Sequence, residues 1–193
     1  MGTADKVCCV ALGIKDQSER LSVLVQEASF IYVKIGYGFT AVMAVEGGKV
    51  VDGVGGTNGS VGFLACGGMD AENAVRLKPP LTQDILFRGG IRDFVGRDIT
   101  PEALENYEDA LLLLEESTEK DIASMLVSVP HPREIMLSGR LVGYNFLRKR
   151  LSGRLGKYAP VVRVRKTSEI AKEAACGACI IGEGLLGGAT AIW

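Results

Sequence analysis

Residues 30–66, FIYVKIGYGFTAVMAVEGGKVVDGVGGTNGSVGFLAC, constrain the fold more than any other stretch of the chain. The runs FIYVKI, FTAVMAV, KVVDGV and VGFLAC are rich in β-branched and aromatic residues. Glycines at Gly36-Tyr37-Gly38, at Gly47-Gly48 and from Gly53 to Gly62 separate them. Such runs, broken by glycine turns, predict an antiparallel meander. A turn built on glycines points successive backbone N–H groups into one concavity, a nest that suits phosphate oxygens. Gly36 and Gly38 are therefore candidate phosphate-binding residues, with Lys34 and Thr40 placed to add a charge and a hydroxyl. Tight hairpins demand the same glycines for purely structural reasons.

The flanking sequence supplies helices. Residues 3–14 carry Val7, Val10, Ala11 and Ile14 at helical spacing behind a capping Thr3, and 16–29 read as a second amphipathic helix with Leu21, Leu24 and Val25 on one face. Lys78-Pro79-Pro80 breaks structure, 81–87 reads as a short helix, and Arg88-Gly89-Gly90 turns again. Thr100-Pro101-Glu102 opens a long helix to about Val127, which Pro130-His131-Pro132 ends. A strand over 134–137, a helix over 141–155, a strand over 160–164 and a helix over 170–186 follow. Strands alternating with helices after an antiparallel start predict an α/β fold: a mixed five-stranded sheet, meander first and parallel strands after, with helices on both faces. A ribonuclease H-like lobe has this order of elements.

Composition narrows the function classes. Twenty-two basic against 23 acidic residues leave a net charge of −1, and no basic stripe carries interleaved aromatics, so neither nucleic acid nor an anionic membrane is an expected partner. Without a signal-like N-terminus or an apolar run of spanning length, the chain reads as cytoplasmic. Glycine is abundant, 25 of 193 residues, about 13% against a usual ~7%. The five cysteines, at 8, 9, 66, 176 and 179, lie among small or apolar neighbours and read as buried reduced thiols. Cys176 and Cys179 have the spacing of a zinc or redox pair but lie in a small-residue helix without further ligands. His131, between two prolines, reads as a loop residue.

Two more constellations join the glycine turn. Ile135-Met136-Leu137-Ser138-Gly139-Arg140 is an apolar strand ending in small residues before a helix, the place where ligands meet the carboxyl edge of an open α/β sheet. A tight strand-to-helix turn explains it as well. In the last helix, Ala174, Ala175, Gly177 and Ala178 permit close approach of a flat ligand or of another backbone.

The order of these features resembles the nucleotide-binding lobe of the acetate kinase, sugar kinase, heat-shock ATPase and actin superfamily, a ribonuclease H-like, actin-like ATPase lobe. FIYVKIGYGFTAVMAVEGGKVVDGVGG looks like its acetate and butyrate kinase version. On MGTADK, GGTNG, GGMD and LSGR the chain is similar to an archaeal family of predicted butyrate kinases. The resemblance implies ATP or ADP and Mg2+ as cofactors and a short-chain carboxylate as acceptor. It places phosphates on Gly36, Gly38 and Thr40, and adenosine on Ser138, Gly139 and Arg140 with Gly177 facing the base. Asp52 and Asp70 become the carboxylates to consider for the metal. Gly2 and Thr3 match a junction motif, His-Gly-Thr-Ser-His in acetate kinases, whose two histidines are Met1 and Asp5 here. An arginine expected before a Ser-Gly pair is not matched in Cys66-Gly67-Gly68-Met69-Asp70, and no catalytic residue is assigned. Residues 1–29 then read as a helical segment leading from a first lobe that this chain lacks, with a separate first-lobe polypeptide as a partner, and 30–193 as the nucleotide-binding lobe, paired as a homodimer. A non-catalytic ATP-binding or assembly protein of the same fold is the rival reading, and a redox or zinc protein a more distant one.

Overall fold

A computed structural model describes residues 3–78, 82–96 and 98–188. Helix α1 (Ala4–Leu21) leads into β1 (Phe30–Ile35), β2 (Thr40–Glu46) and β3 (Lys49–Gly55). Three short helices follow, α2 (Ala71–Arg76), α3 (Gln83–Leu86) and α4 (Ile91–Val95). Then come α5 (Glu108–Met125), β4 (Glu134–Ser138), α6 (Asn145–Leu155), β5 (Val161–Arg163) and α7 (Glu173–Leu185). The five strands form one mixed sheet in the order β3-β2-β1-β4-β5, antiparallel through β3, β2 and β1 and parallel from β1 to β4 and β5.

β1 sits in the middle and is apolar on both sides, as a strand covered on both faces must be. Ile31, Val33 and Ile35 join the core beneath α5 and α6, with Leu111, Leu114, Ile122, Leu147 and Leu151. Phe30 and Tyr32 point the other way, into a second core under α1 and α7 with Leu12, Met136 and Ile180. Each such buried side chain contributes about 1.5–3 kcal/mol of transfer free energy, so the two faces of one strand organise the whole lobe. The β2–β3 turn uses Gly47 and Gly48 at φ of 60° and 71°, the doubly positive geometry of the two-residue hairpin turns that suit twisted strands.

Four sequence expectations are corrected. Residues 4–21 are one helix and not two, because no breaker lies near 15 and the polar residues there turn inward with partners. Asp16 accepts from Arg20 and from the Arg165 N–H. Gln17 accepts from Ser29 N–H and donates to Ser29 O and Glu134 Oε1, at 2.8–3.1 Å. The helix ends at Ser22, whose φ of 52° is left-handed, and a single 3-10 turn at Val25–Glu27 follows. The run VGFLAC is not a strand: its β pairing among the described residues is an isolated bridge between Ala65 and Gly89, because the chain here passes beneath the β1–β2 turn, where the Leu64 and Ala65 N–H groups donate to Gly38 O. The helix expected from Thr100 starts with a 3-10 turn at Glu102–Asn106 and becomes α-helical only at Glu108. The last helix starts at Glu173, three residues later than its apolar pattern suggested.

Candidate functional site

The carboxyl ends of β1 and β4 meet at one edge of the sheet, in register Lys34↔Ser138. The first is followed by Gly36-Tyr37-Gly38, the second by Gly139 and Arg140, so the two glycine-bearing turns are neighbours. Their joint is backbone on backbone. Gly139 has φ 97°, and a Cβ there would lie 2.4 Å from the Ile35 carbonyl oxygen. The Gly139 N–H donates to Glu173 Oε1 at 3.2 Å, which ties the start of α7 to the same point. Above the joint the Arg140 guanidinium lies 4.9 Å from the centre of the Tyr37 ring.

The turn is held from below. The Gly38 carbonyl accepts from Leu64 N–H (3.4 Å) and Ala65 N–H (3.0 Å). Tyr37 packs on Phe63 with ring centroids 5.2 Å apart, and Phe39 on Phe87 at 5.0 Å. A Cβ on Gly38 would lie 2.7 Å from the Phe87 ring. The turn is thus fixed before any ligand arrives, the condition for binding without an ordering cost. The Gly36 N–H donates to Phe39 O at 3.0 Å, and neither Gly36 nor Gly38 has positive φ. The nest expected to include the Gly36 N–H is therefore not formed here, because that group closes the hairpin.

Several other expected site residues stand elsewhere. Lys34 turns away from the hairpin toward α1: its Nζ lies 2.8 Å from Cys9 Sγ and 4.0 Å from Asp5 Oδ2. Thr40 is buried and its hydroxyl donates to Val61 O at 3.3 Å. Gly177 does not face an open pocket: a Cβ there would lie 1.7 Å from the Cys8 carbonyl oxygen, so the helices α1 and α7 cross at this glycine, as close helix packing requires. Asp52 is paired with Ala44, four residues along β2 from Thr40, on the order of 13 Å at ~3.3 Å per residue. It accepts from the Gly53 N–H and the Ser128 hydroxyl. Asp70 caps α2 by accepting from Asn73 N–H at 3.0 Å. Both carboxylates are engaged by these hydrogen bonds, and no group of three or more His, Cys, Asp or Glu suited to a metal occurs among the described residues. Cys176 is buried and Cys179 exposed, and His131 is exposed. Gly2 lies outside the described residues.

Thr3 stands at the N-cap position of α1 and its hydroxyl donates to Asp5. Beside it a cavity of about 480 Å³ opens between α1 and the hairpin, lined by Thr3, Asp5, Lys6, Phe39, Gly55 and Asn58 among others. Burial alone would raise the Asp5 carboxyl, but hydrogen bonds from Lys6 and Thr3 and the charges of Lys6 and Lys34 hold it below its usual value. Sequence reasoning overlooked Tyr37, Asp5, Lys6 and Glu173. The signal for Asp5 and Lys6 was their place in the first turn behind Thr3; for Glu173, which begins α7 after a polar loop, there was none.

This geometry belongs to a known class of fold. The chain superposes on solved short-chain carboxylate kinases. With the propionate kinase from Francisella tularensis subsp. tularensis SCHU S4 it shares 16% identity at a TM-score of 0.66, covering 89% of this chain and 53% of that one. With the Porphyromonas gingivalis acetate kinase the figures are 15%, 0.61, 86% and 51%. With the Entamoeba histolytica acetate kinase they are 14%, 0.59, 77% and 44%. The chain therefore has the actin-like ATPase fold of these enzymes and spans about half their length. In sequence it belongs to the family described as "Protein of unknown function (DUF1464)", whose model matches residues 1–191. No curated protein matches it significantly in sequence. Among the described residues no helix is long and apolar enough to cross a membrane.

Proposed function

We propose that this chain is the nucleotide-binding lobe of an ATP-dependent kinase of the acetate and butyrate kinase type, which transfers phosphate to a short-chain carboxylate together with a second lobe outside the chain. The observation that carries this reading is the joint between the turns 36–38 and 138–140, with Arg140 stacked on Tyr37 at the carboxyl edge of β1 and β4. Such an edge is where open α/β sheets take their ligands, and the fold is shared with carboxylate kinases.

The residues fit a nucleotide in part. The aromatic-supported turn offers the Gly38 backbone, packed on the Phe87 ring, Arg140 offers an exposed cation, and Ser138 a buried hydroxyl at the end of β4. Arg140 would steady a phosphate or the adenosine, and Glu173, at the Gly139 N–H, would accept from a ribose hydroxyl. Phe63 and Phe87 keep water from the underside of the turn. Magnesium ATP supplies the transferable phosphoryl group and its charge neutralisation. Among the described residues no group of three or more His, Cys, Asp or Glu suited to a metal occurs; a magnesium ion would be held through the nucleotide's phosphates and water.

A second reading, an ATP-binding or assembly protein without transfer chemistry, is favoured by Lys34, which faces Cys9 rather than the turn. Calorimetry with Mg-ADP tests both readings: heat of binding is expected, and none at millimolar nucleotide would remove both. Gly38→Val is expected to abolish that heat while the protein stays soluble. Turnover of ATP with butyrate, on this chain alone and with the second lobe supplied, separates the two.

A further inference from the structure

Beneath the candidate site lies a polar cluster of which nucleotide binding uses only Ser138. Lys34 of β1 and Ser138 of β4 are paired in register, and Tyr32, two residues before Lys34, shares their face of the sheet. Cys9, in the second turn of α1, comes down onto this group. Its thiol is fully buried, and the Lys34 Nζ stands 2.8 Å from it, a closer approach than an ordinary N–H···O hydrogen bond of ~2.9–3.0 Å, although sulfur is the larger atom. The Tyr32 hydroxyl is buried beside the thiol and the Ser138 hydroxyl and interacts with both. One oxygen atom bridging sulfur and nitrogen would lie beside both hydroxyls, either of which could donate to it.

We propose that Cys9 and Lys34 form an oxygen-bridged covalent cross-link, Sγ–O–Nζ, a modification site that clamps α1 to the central strand. Dioxygen, small and apolar enough to enter the core, is the oxidant. The thiol gives up its S–H hydrogen and the Lys34 amino group one N–H hydrogen. One oxygen of dioxygen becomes the bridge, and the other leaves as water with those two hydrogens. Sulfur and nitrogen each release two electrons, which together reduce dioxygen fully. Asp5 and Glu173, the carboxylates that face Cys9 from α1 and α7, can take up and hand on the protons, and Lys6 and Lys34 are the cations beside Asp5. A dithiol reductant reverses the step, returning thiol, amine and water.

The bridge ties residues 9 and 34 across the interface of α1 with the sheet, directly below the turn at 36–38, and so couples the oxidation state to the rigidity of the candidate site. It needs no other cysteine, which distinguishes it from disulfide chemistry.

The test is mass spectrometry of the purified full chain, kept under air in one arm and under dithiothreitol without oxygen in the other, each followed by proteolysis. The expected result is a cross-linked pair of peptides containing Cys9 and Lys34, heavier by one oxygen and lighter by two hydrogens than their sum, present under air and absent after reductant. A pair lighter by two hydrogens alone means a direct S–N bond and overturns the oxygen bridge. Oxygen on the Cys9 peptide without cross-linking, or no change at all, overturns the proposal. Lys34→Arg is expected to abolish the pair, and Tyr32→Phe to lower its yield severalfold. Because the wild-type chain itself gives the readout, failure of a variant to fold leaves the test intact.

Discussion

Replacing Gly139 by alanine strikes the joint on which the candidate site rests. The backbone there is at φ 97°, a conformation that costs a residue with a Cβ on the order of 1–3 kcal/mol. The new Cβ would also lie 2.4 Å from the Ile35 carbonyl oxygen, 2.7 Å from its carbon and 2.9 Å from its nitrogen. All three are backbone atoms of a central strand that cannot swing aside, so overpacking adds roughly 1–3 kcal/mol. The sum is at least about 2 kcal/mol, and at ~2–4 °C per kcal/mol for a chain of this size it lowers Tm by at least about 4 °C. Thermal unfolding by circular dichroism and calorimetry reads the change. Gly153→Ala is the control: it sits in α6 with nothing within 4 Å of its Cβ position and should stabilise the helix by ~0.5–1 kcal/mol. If Gly139→Ala melts with the wild type, or Gly153→Ala falls as far, the contact at Ile35 does not constrain the chain and the argument for a preset edge fails.

Three further outcomes are expected. Arg140→Ala should weaken Mg-ADP binding by about tenfold, the loss of one charge-assisted contact, while Tm stays near that of the wild type because Arg140 is exposed; titration calorimetry and melting measure the two. Gln17→Leu should cost roughly 1–3 kcal/mol, since it strips partners from Ser29 and from the buried Glu134, and urea denaturation would show a lower midpoint at unchanged slope. Burial alone would raise the Glu119 carboxyl, but hydrogen bonds from Lys157, Tyr158 and Arg154 hold it at about 2 instead of 4.5. Its contribution is thus complete above about 4.5 and lost as pH falls toward 2. The Tm gap between Glu119→Gln and the wild type should therefore be widest near neutrality and close across that interval.

The fold was largely legible because its strongest signals are local. Runs such as FIYVKI, apolar at every position but Lys34, announce a strand buried on both faces, and the meander follows from Gly47-Gly48 and its flanking runs. The nearness of the turns at 36–38 and 138–140 was also legible, since strand-turn pairs of this kind gather at one sheet edge. What failed was direction. Lys34 lies next to the hairpin in sequence, but strand alternation sends its side chain to the α1 face, where Cys9 and Asp5 receive it. Gly177 was recognised as a point of close approach, and only the tertiary path of α1 decides that the approaching group is the Cys8 backbone. Asp52 and Asp70 are spent on local hydrogen bonds that a one-dimensional reading does not resolve. The long loop of 56–70 misled for the same reason: VGFLAC has strand composition, yet its Leu64 and Ala65 amides serve the hairpin above it.

The crossing of α1 and α7 at Gly177 also sets a schedule for synthesis. One face of the sheet, with Phe30, Tyr32 and Met136, is covered by the two helices together, and about 150 residues separate the end of the first from the start of the second. At ~5–20 residues per second a ribosome takes roughly 8–30 s to cross that interval. Throughout it α1 and the strands already made have half of their cover, while the face under α5 is complete earlier. The nascent chain would thus pass through a stage closed on one side and open on the other, and a chaperone that binds apolar β surface would find its target on the α1 side.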